Sequence, residues 1–123
     1  MSAEKAYLLD TNVVGRKYYE ADDVWSSLGV GVKLIMQREN DNQHDPYAVS
    51  LSVKSGDHIY KLGYLPRVAN ELVAIMMTMG WEDAFECVIS RLDEMADYDK
   101  QIGVILKVCR RKAETDENNG TDS

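Results

Sequence analysis

Proline and phenylalanine are scarce in this 123-residue chain, with two and one, and the two cysteines, Cys87 and Cys109, have no close Cys or His companions. That excludes closely spaced zinc ligands and does not compel a disulfide, so buried reduced thiols on strands are the simpler reading. Long apolar runs are missing as well, and nothing approaches the roughly 20 residues a membrane helix requires. The opening MSAEKAYLLDT lacks the basic region, apolar stretch and cleavage site of a secretory signal, which argues against export and for a cytoplasmic protein. Bases are in deficit too: 14 Lys and Arg against 21 Asp and Glu give a formal charge of −7. A protein that coats nucleic acid with a broad basic surface is thereby excluded.

What is present suits one soluble globular domain, with 45% hydrophobic and 28% charged residues in a length that allows a single modest core. The stretch AETDENNGTDS, 113–123, has no base and no apolar spacing, so it reads as a disordered acidic tail after a domain spanning 1–112. Taking its four acids from −7 leaves −3 for that domain, and between Arg16 and Arg67 seven cations face seven acids. Any nucleic-acid contact there has to be local.

YLLDTNVV (Tyr7 to Val14) reads as a strand ending near Gly15, and EADDVWSSLG as a short helical turn with acids early and Gly29 at its end. Apolar residues then alternate through Val30, Val32, Leu34 and Met36, and again through Tyr47, Val49, Leu51 and Val53. With HIYKLGYL after the turn Ser55 to Asp57, these predict an antiparallel meander. After Pro66 the period changes: Val68, Leu72, Ile75, Met76 and Met79 fall on one face of a helix ending at Gly80, and that face is expected to point into the core. AFECVISRLDEM and QIGVILKVCRR complete a last hairpin, with Ile102, Val104, Leu106 and Val108 facing in. The expectation is a mainly β (α+β) domain: six antiparallel strands curled into a small barrel, with one main helix and one short helix.

Three polar stretches interrupt this scaffold. RENDNQHDPYAV (Arg38 to Val49) fails as a calcium loop, because counting from Asp41 puts Pro46 where glycine is required and Ser52 where glutamate is required. His44 and His58 are too few and wrongly spaced for a metallohydrolase, and neither GxSxG nor a phosphate-cradling glycine loop occurs. Ordinary turn chemistry and the rim of a binding site both fit the run. Gly15-Arg16-Lys17-Tyr18-Tyr19 gathers two cations and two phenols on one loop, able to stack a base at ~1–3 kcal/mol and hold phosphates, or simply to anchor one ring in the core. Gly63-Tyr64-Leu65-Pro66-Arg67 opens the helix, where free N–H groups and Arg67 could meet an anion, or merely join strand to helix.

Together VVGRKYY (Val13 to Tyr19), LIMQRENDNQHDPYAVSLSV (Leu34 to Val53) and LGYLPRVANELVAIM (Leu62 to Met76) resemble the HIRAN domain family in order and spacing, over most of residues 7 to 110. The resemblance implies an oligonucleotide/oligosaccharide-binding-like barrel that recognises single-stranded DNA at its free 3′ end, as in repair or replication-fork processing, without catalysis, cofactor or metal. By motif, Lys17 and Tyr18 would hold the backbone and stack on the terminal base, with Tyr19 alongside and Arg16 adjoining. Asp45 would accept the 3′-hydroxyl, Asn42 and His44 would shape the pocket wall, and Tyr64 and Arg67 would meet the terminal phosphates. Two departures are visible: Tyr47 stands where the family commonly has asparagine, and Lys17 replaces an arginine, losing a bidentate grip. The partners implied are a DNA 3′ end and an unidentified helicase or nuclease. A non-catalytic protein-interaction adaptor on the same barrel is the alternative.

Overall fold

The computed structural model describes residues 5–109, so the expected tail at 113–123 lies outside the described residues. Six strands, β1 (Lys5–Asn12), β2 (Lys33–Arg38), β3 (Val49–Ser55), β4 (His58–Tyr64), β5 (Phe85–Leu92) and β6 (Ile102–Cys109), accompany helices α1 (Ala21–Val24) and α2 (Arg67–Thr78). The strands form one antiparallel sheet in the order β1-β6-β5-β2-β3-β4. The meander and the final hairpin thus stand as read from the alternation. Among the described residues no helix is long and apolar enough to cross a membrane.

Curling comes from β2, which changes partner along its length. Lys33 and Leu34 pair with β5, whereas Ile35 to Arg38 pair with β3. The two edges then approach each other at an isolated bridge, where Val14 and Tyr64 exchange two backbone hydrogen bonds of 2.9 Å. The curled sheet is therefore drawn together at one point, without a continuous ladder closing it into a full barrel. Gly63 makes the approach possible: its φ is 155°, and a Cβ there would run into the Val14 carbonyl and lie 2.7 Å from Val13 Cγ1.

Alternation places Leu34, Val49, Leu51, Val53, Leu62, Ile89, Ile102, Val104 and Leu106 in the core, joined by Val24 and Leu28 from the first helical segment. Cys87 is also buried, which pushes its thiol pKa up to about 12 and keeps it an inert core group. Two expectations need correction. Val30 is 72% exposed, because it precedes β2 and its neighbour Gly31 turns at a φ of 96°. More consequentially, α2 buries Asn70, Val73, Ala74 and Met77, while Val68, Leu72, Ile75 and Met79 face outward. The helix carries two apolar stripes, and polar pins choose between them: Asn70 bonds Asp45 and Arg67 bonds the His44 carbonyl. The small Ala74, fully buried, allows close approach on the chosen side.

Candidate nucleic-acid interface

The run from Glu39 to Ala48 folds as turn chemistry and also lines a cleft. Asn42 Oδ1 accepts the backbone N–H groups of His44 (2.8 Å) and Asp45 (3.0 Å), and Asp45 Oδ1 accepts that of Tyr47 (2.9 Å). Each is a short side-chain-to-backbone bond of the kind Asn and Asp make in loops. Arg38 ties the loop from β2, donating from Nη2 to the Pro46 carbonyl at 2.6 Å and from Nη1 to the Ala48 carbonyl at 3.2 Å. So braced, the loop presents His44 and Asp45 to a cleft of about 220 Å³, walled by Val14, Tyr19, Tyr64, Leu65 and Arg67.

Asp45 is held from two elements. Its second oxygen accepts Asn70 Nδ2 at 2.7 Å and has Arg67 Nε at 3.8 Å, leaving the side chain 17% exposed. Tyr19 and Tyr64 meet edge to face, with ring centroids 5.7 Å apart. Behind them Lys61 Nζ lies over both rings, at 4.7 Å from Tyr19 and 4.4 Å from Tyr64, and pairs with Glu39 Oε2 at 2.8 Å. Tyr64 donates its hydroxyl proton to Glu39 Oε1 at 2.6 Å and accepts from Lys61 at 2.5 Å. Burial and the bond to Glu39 push the Tyr64 pKa up to about 12. For Glu39, burial raises the pKa, but bonds from Lys61, Tyr64 and Asn42 outweigh it and hold the carboxyl below its ordinary range. Lys61 is likewise opposed by burial, yet its contacts with Glu39 and Tyr64 leave its pKa raised.

Six of the nine residues singled out from the sequence line this cleft: Tyr19, Asn42, His44, Asp45, Tyr64 and Arg67. Lys17 and Tyr18 stand just before Tyr19 on the 3-10 turn Arg16–Tyr18, with the Tyr18 ring 74% exposed and Lys17 Nζ 5.1 Å from its centroid. Arg16 lies elsewhere. It is 4% exposed, its guanidinium set between Trp25 (4.9 Å) and Tyr98 (5.2 Å) and bonded to Asp22 Oδ1 at 2.8 Å. Together with the Gly15 N–H, which donates to Asp99 Oδ1 at 2.8 Å, it fastens the loop to the β5–β6 connection. Sequence reading missed Glu39, Lys61 and Asn70. Asn70 gave one usable signal, a polar side chain in the middle of an apolar helix, and Glu39 and Lys61 meet only through folding.

In chemical terms the cleft offers a fixed carboxylate acceptor beside an arginine and an aromatic wall, and an exposed Lys–Tyr pair directly precedes its Tyr19 in the chain. Known proteins share the fold that carries it. A crystal structure of a protein from Lactobacillus plantarum superposes with a TM-score of 0.67 at 28% identity, covering 87% of this chain and 97% of that one. The HIRAN domain of human HLTF superposes with a TM-score of 0.54 at 16% identity, covering 98% and 94%, a likeness of fold. In sequence, the Fanconi-associated nuclease 1 homolog of Oryza sativa subsp. japonica is 26% identical over 120 residues, which are 98% of this chain and 11% of that protein. The chain thus corresponds to about a tenth of that relative's length. The HIRAN domain profile matches residues 6–108, which include every side chain of the cleft, and the chain belongs to the HIRAN domain family.

Proposed function

We propose that this chain is a non-catalytic DNA-binding module that takes a single strand by its free 3′ end. The observation that carries this reading is Asp45, a carboxylate fixed by Asn70 and the Tyr47 N–H in a cleft that also holds Arg67 and two tyrosines. A carboxylate repels phosphate but accepts a hydrogen bond from a terminal hydroxyl, and such charge-assisted bonds contribute roughly 1.5–3 kcal/mol. Asp45 therefore selects for the hydroxyl and against a terminal phosphate. Tyr18, exposed beside Lys17, stacks on the end base while Lys17 and Arg67 meet the phosphates; Asn42 and His44 form the wall, and Arg16 acts by holding the loop. That the rice relative is a Fanconi-associated nuclease 1 homolog fits a module delivering DNA ends to repair or fork-processing partners.

The test is fluorescence anisotropy with one short oligonucleotide ending in a 3′-hydroxyl or a 3′-phosphate. The hydroxyl strand is expected to bind at least about tenfold tighter, a difference of ~1.4 kcal/mol, and Asp45→Ala to remove the preference. Equal binding of the two strands by the unaltered protein defeats end recognition. No binding of either leaves the adaptor reading, which the formal charge of −7 favours.

A further inference from the structure

Lys61 is where the three polar stretches of the chain meet. Its backbone N–H donates to Glu20 Oε1 at 3.0 Å and its carbonyl accepts the Glu20 N–H at 2.9 Å, which clips β4 to the loop carrying Tyr19. Its ammonium faces the Tyr19 and Tyr64 rings and bonds both Glu39 and the Tyr64 hydroxyl. The two tyrosines border the cleft, whereas Lys61 and Glu39 stand behind them. Whatever Lys61 does for a guest it does through those rings.

The Tyr64 hydroxyl is fully committed by this arrangement. A phenol has one proton to give, and Tyr64 gives it to Glu39; a pKa pushed up to about 12 keeps it there at neutral pH. Phosphate oxygens of a DNA strand only accept, so this hydroxyl has no proton to offer one. What remains for a guest is the ring. A cation only 29% exposed is drawn to aromatic rings more strongly than one in open water, and here a single ammonium restrains two of them.

We propose that Lys61 is a positioning residue of the DNA site: with Glu39 it takes up the Tyr64 hydroxyl and sets Tyr19 and Tyr64 as a ring wall for the nucleotides next to the 3′ end, leaving the phosphates to Lys17 and Arg67. The proposal rests on the DNA reading above. Anisotropy with a short 3′-hydroxyl oligonucleotide, intact or lacking its last two bases, tests it. Lys61→Met is expected to weaken the intact strand about fivefold, the lower end of what base–aromatic stacking contributes, and the base-free strand hardly at all. Its logarithmic salt slope stays at about −1.4, because no phosphate contact is lost. Lys61→Met combined with Glu39→Gln, which restores the charge balance without the brace, stays weak. Should Lys61→Met lose its circular dichroism, Glu39→Gln, which unfastens the ammonium, is measured on the same two strands with the same expectation. An equal loss on both strands marks a general structural role, a slope shallower by about 0.7 marks a direct phosphate contact, and full recovery in the double variant marks charge cancellation alone; each overturns the proposal. So does a variant that binds the intact strand as tightly as the unaltered protein. Failure of the DNA reading shows separately, as no binding of either strand by the unaltered protein, and takes this proposal with it.

Discussion

Glu39, Lys61 and Tyr64 form a compact proton-sharing group behind the aromatic wall, and its titration gives the fold two pH limits. The folded Tyr64 pKa of about 12 lies above the ordinary 10.0, so its contribution to stability is complete below pH 10 and is lost as pH rises towards 12. Lys61, also raised, acts in the same direction above its ordinary 10.5. Glu39, held below 4.5, contributes above that value and loses its share as acid protonates it. Urea midpoints measured across alkaline pH are expected to fall less steeply in Tyr64→Phe than in the unaltered protein. Identical slopes would refute the role given to the phenol. Six cleft residues were legible in the sequence because RENDNQHDPYAV and the GRKYY and GYLPR stretches each sit where a strand ends. Arg16 was misplaced because a cation beside tyrosines reads alike whether its aromatic partners are bound bases or its own Trp25 and Tyr98, which lie far along the chain.

Among the elements, strands were easier to read than the helix. Period-two alternation leaves little doubt about which side is inward, since a one-residue slip exposes the whole set. On α2, the i, i+4, i+7, i+11 stripe was the more regular apolar pattern and yet points outward, because Asn70, Ala74 and Arg67 orient the helix. Hydropathy alone cannot rank two stripes when one is buried by the chain and the other is exposed. Near the end of β4 the backbone passes close to another segment at Gly63, where an added Cβ would meet the Val14 carbonyl. Gly63→Ala is expected to cost about 2–4 kcal/mol in chemical denaturation, since the added methyl must displace Val13 and the Val14 carbonyl in a conformation alanine avoids. A change within a few tenths of a kcal/mol would mean that the edges need not meet there.

At the scale of the molecule, a chain of formal charge −7 holds a cleft whose own cations are largely matched: Lys61 to Glu39, and Arg67 beside Asp45. Binding that relies on about two phosphate contacts, from Lys17 and Arg67, should show a logarithmic salt slope of only about −1.4 on a single strand. A slope several times steeper, measured by anisotropy over a salt series, would point to a different and more basic surface. The two hydrogen bonds between Val14 and Tyr64 take on a second meaning in this setting, because both residues also wall the cleft. Whatever loosens that clasp therefore also displaces two walls of the cleft.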